Sequence, residues 1–367
     1  MRVGWREPEE KPGEAIEMTD HSQYKVALVL PGTINDEGWN ATAFQGLELI
    51  KQAGFETAYS ENVKTSDYEA VYRGYAGKGY DLIIGHGFEF LDPAKAVAAD
   101  FPKTMFAVTS TIEYEAPNVF AMDTNSSDAG FLAGVLAAKM TKTKVVAVPC
   151  GLEIPGIIRY ATGFRQGVEY IDPEIKVLSS YTGSSSDTAQ LKELTAAMVQ
   201  QGADIIAPNA DQAGIGAFEY VKEHKDLRII GVYGDQKALA PDQTLTSAII
   251  DLPGAIEQVA ELGFEGRLEA KAYVFGVKEG SVWLTDFSSD VPQDVQDLLM
   301  DVIGKIKNGA LPRQKTSVRR QSCKTAASII TSPPKKKSFL LVSRKRSAEL
   351  KKVRSTSCWK ISATSKA

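Results

Sequence analysis

The chain has 367 residues, 43% of them hydrophobic, enough to bury a sizeable core and to form two domains. No run of 18 or more apolar residues occurs, and three cysteines (150, 323, 358) with three histidines (21, 86, 224) are too few and scattered for a disulfide framework or a metal cluster. The net charge of −4 conceals a split: residues 313–367 carry 16 Lys and Arg against one acid, Glu349, which leaves a body of net −19 that would repel nucleic-acid phosphate.

In chain order, residues 1–23 are charged and lack the apolar stretch of a secretory signal. They are expected to be an N-terminal extension showing neither an export segment nor a lipid-anchor Cys. From Tyr24 to Ala310, short apolar runs alternate with longer helical patterns. Strands are expected at Val26–Leu30, Leu82–Ile84, Met105–Val108, Val145–Val148, Ile175–Ser179, Asp204–Ala207, Arg228–Val232 and Leu245–Ile250. Helices are expected at Ala41–Gln52, Asp128–Met140, Pro155–Tyr170, Ala189–Gln201, Gly214–Glu223, Pro253–Leu262 and Gln293–Lys307. Continuous β-branched strands alternating with helices mean parallel sheets covered on both faces, an α/β fold.

Ten or more strands are too many for one ordinary sheet, so the chain is expected to form two lobes. Lobe 1 takes residues 24–122 plus 253–310, with a ribbon Ala272–Gly276/Ser281–Leu284 returning to it, and lobe 2 takes residues 123–252. Residues 311–367, rich in Ser, Thr, Lys and Arg without amphipathic period, read as a basic, low-order tail. Several crossings between lobes would make a hinge. Ligands of such sheets sit outside the carboxyl ends of the strands, so the facing edges form a cleft.

Candidate binding residues follow from that rule. The loop after the first strand, Pro31 to Asn40, places Asn35, Asp36, Trp39 and Asn40 at a carboxyl strand end. An indole face offers stacking to a planar ring and a carboxylate accepts hydrogen bonds; the same residues also suit a helix cap with a packing Trp. His86, Gly87 and Phe88 occupy a Gly-rich turn at a second strand end, where Phe88 would line the pocket and a lone His is more often a structural hydrogen-bonder. Asp123 stands at a crossover, where it binds ligand or caps the next helix. Glu153 and Tyr160 flank the start of the helix at Pro155, and Asn209 precedes another helix. Arg159 is expected in a surface pair and Cys150 as a buried, inert thiol. There is no GxxxxGK[ST], HExxH or GxSxG, and Gly214-Ile-Gly216 is only a fragment of a dinucleotide fingerprint. No catalytic residue, cofactor or metal is expected.

The Pro31–Asn40 loop and the following Phe44-Gln-Gly46 resemble the first ligand loop of the BMP family of substrate-binding proteins, which includes purine-nucleoside-binding lipoproteins of ABC transporters. Gly85-His-Gly-Phe88, Gly130-Phe-Leu-Ala-Gly134, Tyr160-Ala-Thr-Gly-Phe-Arg-Gln-Gly167, Gly183-Ser-Ser-Ser-Asp187, Gln201-Gly-Ala-Asp204 and Gly231-Val-Tyr-Gly-Asp-Gln236 continue the resemblance over roughly residues 24–310. It implies a type I periplasmic-binding-protein-like fold with two Rossmann-like lobes and a multi-segment hinge. It also implies a periplasmic or cell-surface location and delivery of a purine base, nucleoside or similar heterocycle to an ABC permease. Tyr233 and Asp235 join the candidate site through the last motif. Two departures stand out. Relatives that bind nucleosides commonly carry a Lys where Ile250 and Asp251 stand here, and an acid where Tyr233 stands. If those groups hold ribose in relatives, their loss favours a free base. The alternatives are a ligand-sensing regulator on the same fold, for which 23 leading residues are too few to make a helix-turn-helix, and a purine-processing enzyme.

Overall fold

The computed structural model describes residues 20–35 and 39–311. The expected extension and basic tail therefore lie almost wholly outside the described residues, as does Asp36. In order, the elements are β1 (Lys25–Val29), α1 (Trp39–Gln52), β2 (Glu56–Ser60), α2 (Tyr68–Gly77), β3 (Leu82–Gly85), α3 (Leu91–Ala98), β4 (Met105–Thr109), β5 (Val119–Thr124) and α4 (Ser126–Met140). They continue with β6 (Val145–Cys150), α5 (Pro155–Ile171), β7 (Lys176–Tyr181), α6 (Thr188–Gln200), β8 (Ile205–Ile206), α7 (Ile215–Lys222), β9 (Arg228–Tyr233) and β10 (Thr244–Ile250). Last come α8 (Leu252–Phe264), β11 (Ala272–Phe275), β12 (Val282–Leu284) and α9 (Gln293–Lys307).

Two six-stranded sheets result, ordered β11-β5-β4-β3-β1-β2 and β12-β10-β9-β8-β6-β7. Every pairing is parallel except β10 with β12. The inner strands are apolar on both faces because each face carries helices. Along β1, Val26 and Leu28 join the core with α1 and α8, while Ala27 and Val29 face the one with α2 and α3. In the second sheet Val146 and Val148 face α4 and α5, and Ala147 faces α6 and α7. The edge strand β2 escapes the sequence reading because it is partly exposed and carries Glu56 and Ser60, which erases the apolar signal. Helices α2 and α3 add to the helical segments named from the sequence.

The return of residues 253–310 to the first lobe needs correction. Helix α8 does pack on α1, and β11 pairs with β5. Strand β12, however, pairs with β10, and α9 packs into the core around α4 and α5. The two short strands are not a ribbon; each closes the open edge of a different sheet. The crossing segments are tied together at the hinge. Asn125 N–H donates to Phe275 O at 2.8 Å, Asp251 N–H to Ser281 O at 2.8 Å, and Val277 N–H to the Asp128 carboxylate at 3.1 Å.

Behind the second sheet, α4 and α5 cross in backbone contact. A Cβ on Gly130 or Gly134 would run into the carbonyls of Tyr160 and Phe164, and one on Gly163 or Gly167 into those of Ser127 and Phe131. This close crossing fixes the amino end of α5, and with it Arg159 and Tyr160, relative to the hinge segment that opens α4.

Candidate functional site

Each sheet has the order 2-1-3-4-5 with a sixth strand added, so its topological switch point lies between its first and third strands. Crevices for ligands form there, outside the carboxyl ends. In the first sheet the switch point is flanked by the loop after β1, which carries Asn35, Trp39 and Asn40, and the turn after β3, which carries His86, Gly87 and Phe88. In the second it is flanked by the loop after β6, with Glu153, and the segment after β8, with Asn209.

The first-lobe residues form one network. His86 is fully buried and stacks on the Trp39 indole, with ring centroids 3.6 Å apart. Its Nε2 lies 3.1 Å from Trp39 O and its Nδ1 lies 3.0 Å from Thr109 Oγ1. Gly87, at φ +133°, donates its N–H to the same hydroxyl at 2.9 Å. His86 thus backs one face of the indole, with its ring nitrogens beside Trp39 O and Thr109 Oγ1. Trp39 itself remains 38% exposed and Phe88 65% exposed. An exposed aromatic face at a strand end offers stacking area to a planar ring. Asn40 packs against the loop: a Cβ on Gly32 would lie 2.6 Å from its Nδ2, so a larger residue there would displace the Asn40 amide. Asn35 is exposed, and its N–H bonds Thr33 Oγ1. Sequence reasoning missed Thr109, because a Thr ending a buried strand carries no signal until its neighbour is known.

The second-lobe residues gather at the ends of β6, β8 and β9. Asn209 bridges Cys150, donating its N–H to Pro149 O and accepting from Gly151 N–H, both at 3.0 Å. Tyr160, from the second turn of α5, is completely buried beside Cys150 and Tyr233. The Tyr233 phenol approaches the Asn209 amide as a hydrogen-bond partner and neighbours Asp211, Arg159 and Cys150. Loss of solvation, followed by the Asp211 carboxylate, raises its pKa well above the tyrosine range. The residue is nevertheless 36% exposed, so its hydroxyl end is inside and part of its ring is out. Burial pushes the Cys150 thiol up to about 12, which leaves no thiolate to act as a nucleophile. Glu153 is exposed on the rim. Asp235, also exposed, accepts from Lys237 N–H at 3.0 Å and stands 3.5 Å from Ser247 Oγ, apart from the others.

Asp123 joins the two groups. It lies on β5 of the first sheet, is 7% exposed, and is held by Arg159 of α5 at 2.6 Å. The expected surface pair of Arg159 is therefore a half-buried bridge between lobes, made because α5 points its first turn at the end of β5. Burial outweighs the Arg159 charge and the Thr124 N–H, pushing the Asp123 carboxyl up to about 6. Among the described residues no group of His, Cys, Asp and Glu could hold a metal ion, and no helix is long and apolar enough to cross a membrane.

Comparison with known proteins bears on the family and the fold. The chain is 30% identical to the transcriptional activator protein Med of Bacillus subtilis over 79% of its own length and 91% of that protein's. It is 29% identical to the ABC transporter nucleoside-binding protein BmpA of Lactococcus lactis, over 77% and 88%. The fold superposes with a TM-score of 0.70 on the crystal structure of a transcriptional activator of the comK gene from Bacillus halodurans, at 24% identity, covering 78% of this chain and 99% of that one. This is the type I periplasmic-binding-protein-like architecture. Residues 23–316 match the Bmp family, described as PnrA-like ABC transporter substrate-binding proteins, and the chain belongs to that family.

Proposed function

We propose that the protein is the solute receptor of an ABC importer and that it captures a small, planar, uncharged heterocycle, a purine base or nucleoside, between its lobes without altering it. The observation that carries this reading is the Trp39 indole, backed on one face by buried His86 and left partly exposed at the first switch point. A ring stacked there from the first lobe meets hydrogen-bonding groups of the second lobe only when the lobes close. Ligand therefore shifts the population toward the closed form, and a permease distinguishes loaded from empty receptor. The work is differential binding, with no nucleophile or base–orienter pair required. Such a receptor operates outside the cytoplasmic membrane.

Tyr233, where relatives commonly carry an acid, and Ile250 with Asp251, where they carry a Lys, favour a base over a nucleoside. Thermal-shift screening followed by calorimetry with bases, nucleosides, riboflavin and sugars tests the proposal. Stabilisation by purines, with adenine bound more tightly than adenosine, is the expected result. Stabilisation by sugars alone removes the purine reading, and equal affinity for adenine and adenosine removes the preference for a base.

A second reading rests on the similarity to Med, whose name is that of a transcriptional activator. In it the same crevice senses a ligand and the chain regulates transcription. Sequence-specific DNA binding by the chain cut before residue 313 would favour it.

A further inference from the structure

Because the two sheets share one strand order, each residue at the edge of one has a counterpart in the other. His86 and Asn209 form such a pair. Each follows the third strand of its sheet and donates its backbone N–H to the first, His86 to Val29 O at 2.9 Å and Asn209 to Pro149 O at 3.0 Å. Both side chains are fully buried. Their polar atoms fare differently. The His86 nitrogens lie within bonding distance of Trp39 O and Thr109 Oγ1. The Asn209 amide makes no hydrogen bond of full geometry beyond its approach to the Tyr233 phenol, and the Tyr160 hydroxyl has no hydrogen-bond partner.

Buried polar atoms short of partners destabilise a fold, so a cluster of them at a ligand-binding edge points to a partner from outside the chain. Backbone strain marks the same place. Tyr233 has φ +69°, and Gly234 N–H donates to Val232 O at 3.0 Å across it. That is the positive-φ γ-turn, rare for any residue and costly for one with a large side chain. The strained turn sets the Tyr233 phenol beside Asn209.

We propose that Asn209, with Tyr160 and Tyr233 around it, is an edge-reading subsite that takes an uncharged ring carrying a hydrogen-bond donor and acceptor side by side, as in a lactam or amidine edge. A carboxamide offers an acceptor and a donor in one plane and so pairs with such an edge through two parallel bonds. An anionic group is disfavoured here, because Arg159 is already held by Asp123 at 2.6 Å and Asp211 neighbours the Tyr233 hydroxyl. The inference rests on the receptor reading above and adds to it the group that selects among rings.

Calorimetry on the full chain tests it, with wild type and Asn209→Leu titrated against adenine, hypoxanthine and unsubstituted purine, which lacks the exocyclic group. Leucine keeps the branched shape of asparagine and removes its polar atoms. The expected result is a Tm at or above wild type, adenine and hypoxanthine weakened tenfold or more, and purine changed by less than twofold. Asn209→Ala, which cannot overfill the site, is expected to give the same split. Equal weakening of all three rings, or of none, overturns the inference and leaves the receptor reading standing. A lowered Tm in both variants also overturns it, since the amide is then a satisfied structural group. A wild type that binds no purine removes the receptor reading and this inference together.

Discussion

The two switch points occupy equivalent positions in equivalent sheets, yet they are built differently. At the first, His86, Thr109, Gly87 and Trp39 satisfy one another, and the exposed product is an aromatic surface fixed from behind. At the second, Asn209 and Tyr160 are buried under a strained Tyr233, the amide approached only by the Tyr233 phenol and the Tyr160 hydroxyl unpaired. One edge is a finished wall and the other holds hydrogen-bonding capacity in reserve. In the proposed receptor this duplicated topology would divide recognition, with stacking on one side and directional bonding on the other, and the Asp123–Arg159 pair ties the two edges together.

The largest expected effect comes from cutting that tie. Arg159→Met leaves Asp123 buried without its cation, and denaturant unfolding at pH 7 should register a loss of about 3–5 kcal/mol. The loss should shrink below pH 5, where the carboxyl is protonated. A penalty independent of pH would make Arg159 a packing residue and not a bridge.

The wild-type pH profile follows next. The Asp123 pKa of about 6 lies above the unfolded value of about 3.9, so the fold favours the protonated form. The group's stabilising contribution is complete below about pH 4 and disappears as pH rises through about 6, a change of up to about 3 kcal/mol. The groups facing it are the Arg159 guanidinium and the Thr124 N–H. Stability of wild type relative to Asp123→Asn should therefore fall between pH 4 and pH 7. A relative stability that rises over that interval would mean Arg159 outweighs burial.

A third experiment sets the two edges directly against each other. His86→Leu removes a satisfied ring and should lower stability by about 1–3 kcal/mol by unfolding midpoint, through the stranded Thr109 hydroxyl. Asn209→Leu, at the matching position, should lower it by nothing. His86→Leu should also weaken a stacked ligand, because Trp39 loses its backing. Equal penalties at both positions would erase the contrast drawn here. The smallest effect concerns Cys150. Its buried thiol should resist iodoacetamide at pH 8 until the chain unfolds, and prompt modification of the folded protein would contradict its placement.

Much of this was legible in the sequence. The apolar strands and their helices are readable because both faces of each inner strand are buried, and α9 (Gln293–Lys307) coincides with the predicted helix. Strand β2 was not, because an edge strand with Glu56 and Ser60 has no apolar pattern. The destination of β12 depends on which sheet edge is open, a property no local window contains. For the site, residue positions followed from the carboxyl-end rule, and side-chain roles did not. Position alone could not tell that His86 faces inward to Thr109, nor that Arg159 reaches across the hinge to Asp123. Both depend on contacts between residues far apart in the chain.

The account turns on whether a flat guest lies against the first-lobe indole. Tryptophan fluorescence titrated with adenine, in wild type and in Trp39→Phe, measures this most directly, since phenylalanine preserves a stacking face and removes the reporter. Saturable quenching in wild type, with its amplitude abolished in Trp39→Phe while calorimetry still registers binding, is the predicted result. Undiminished saturable quenching in Trp39→Phe would place the ligand elsewhere and contradict the account.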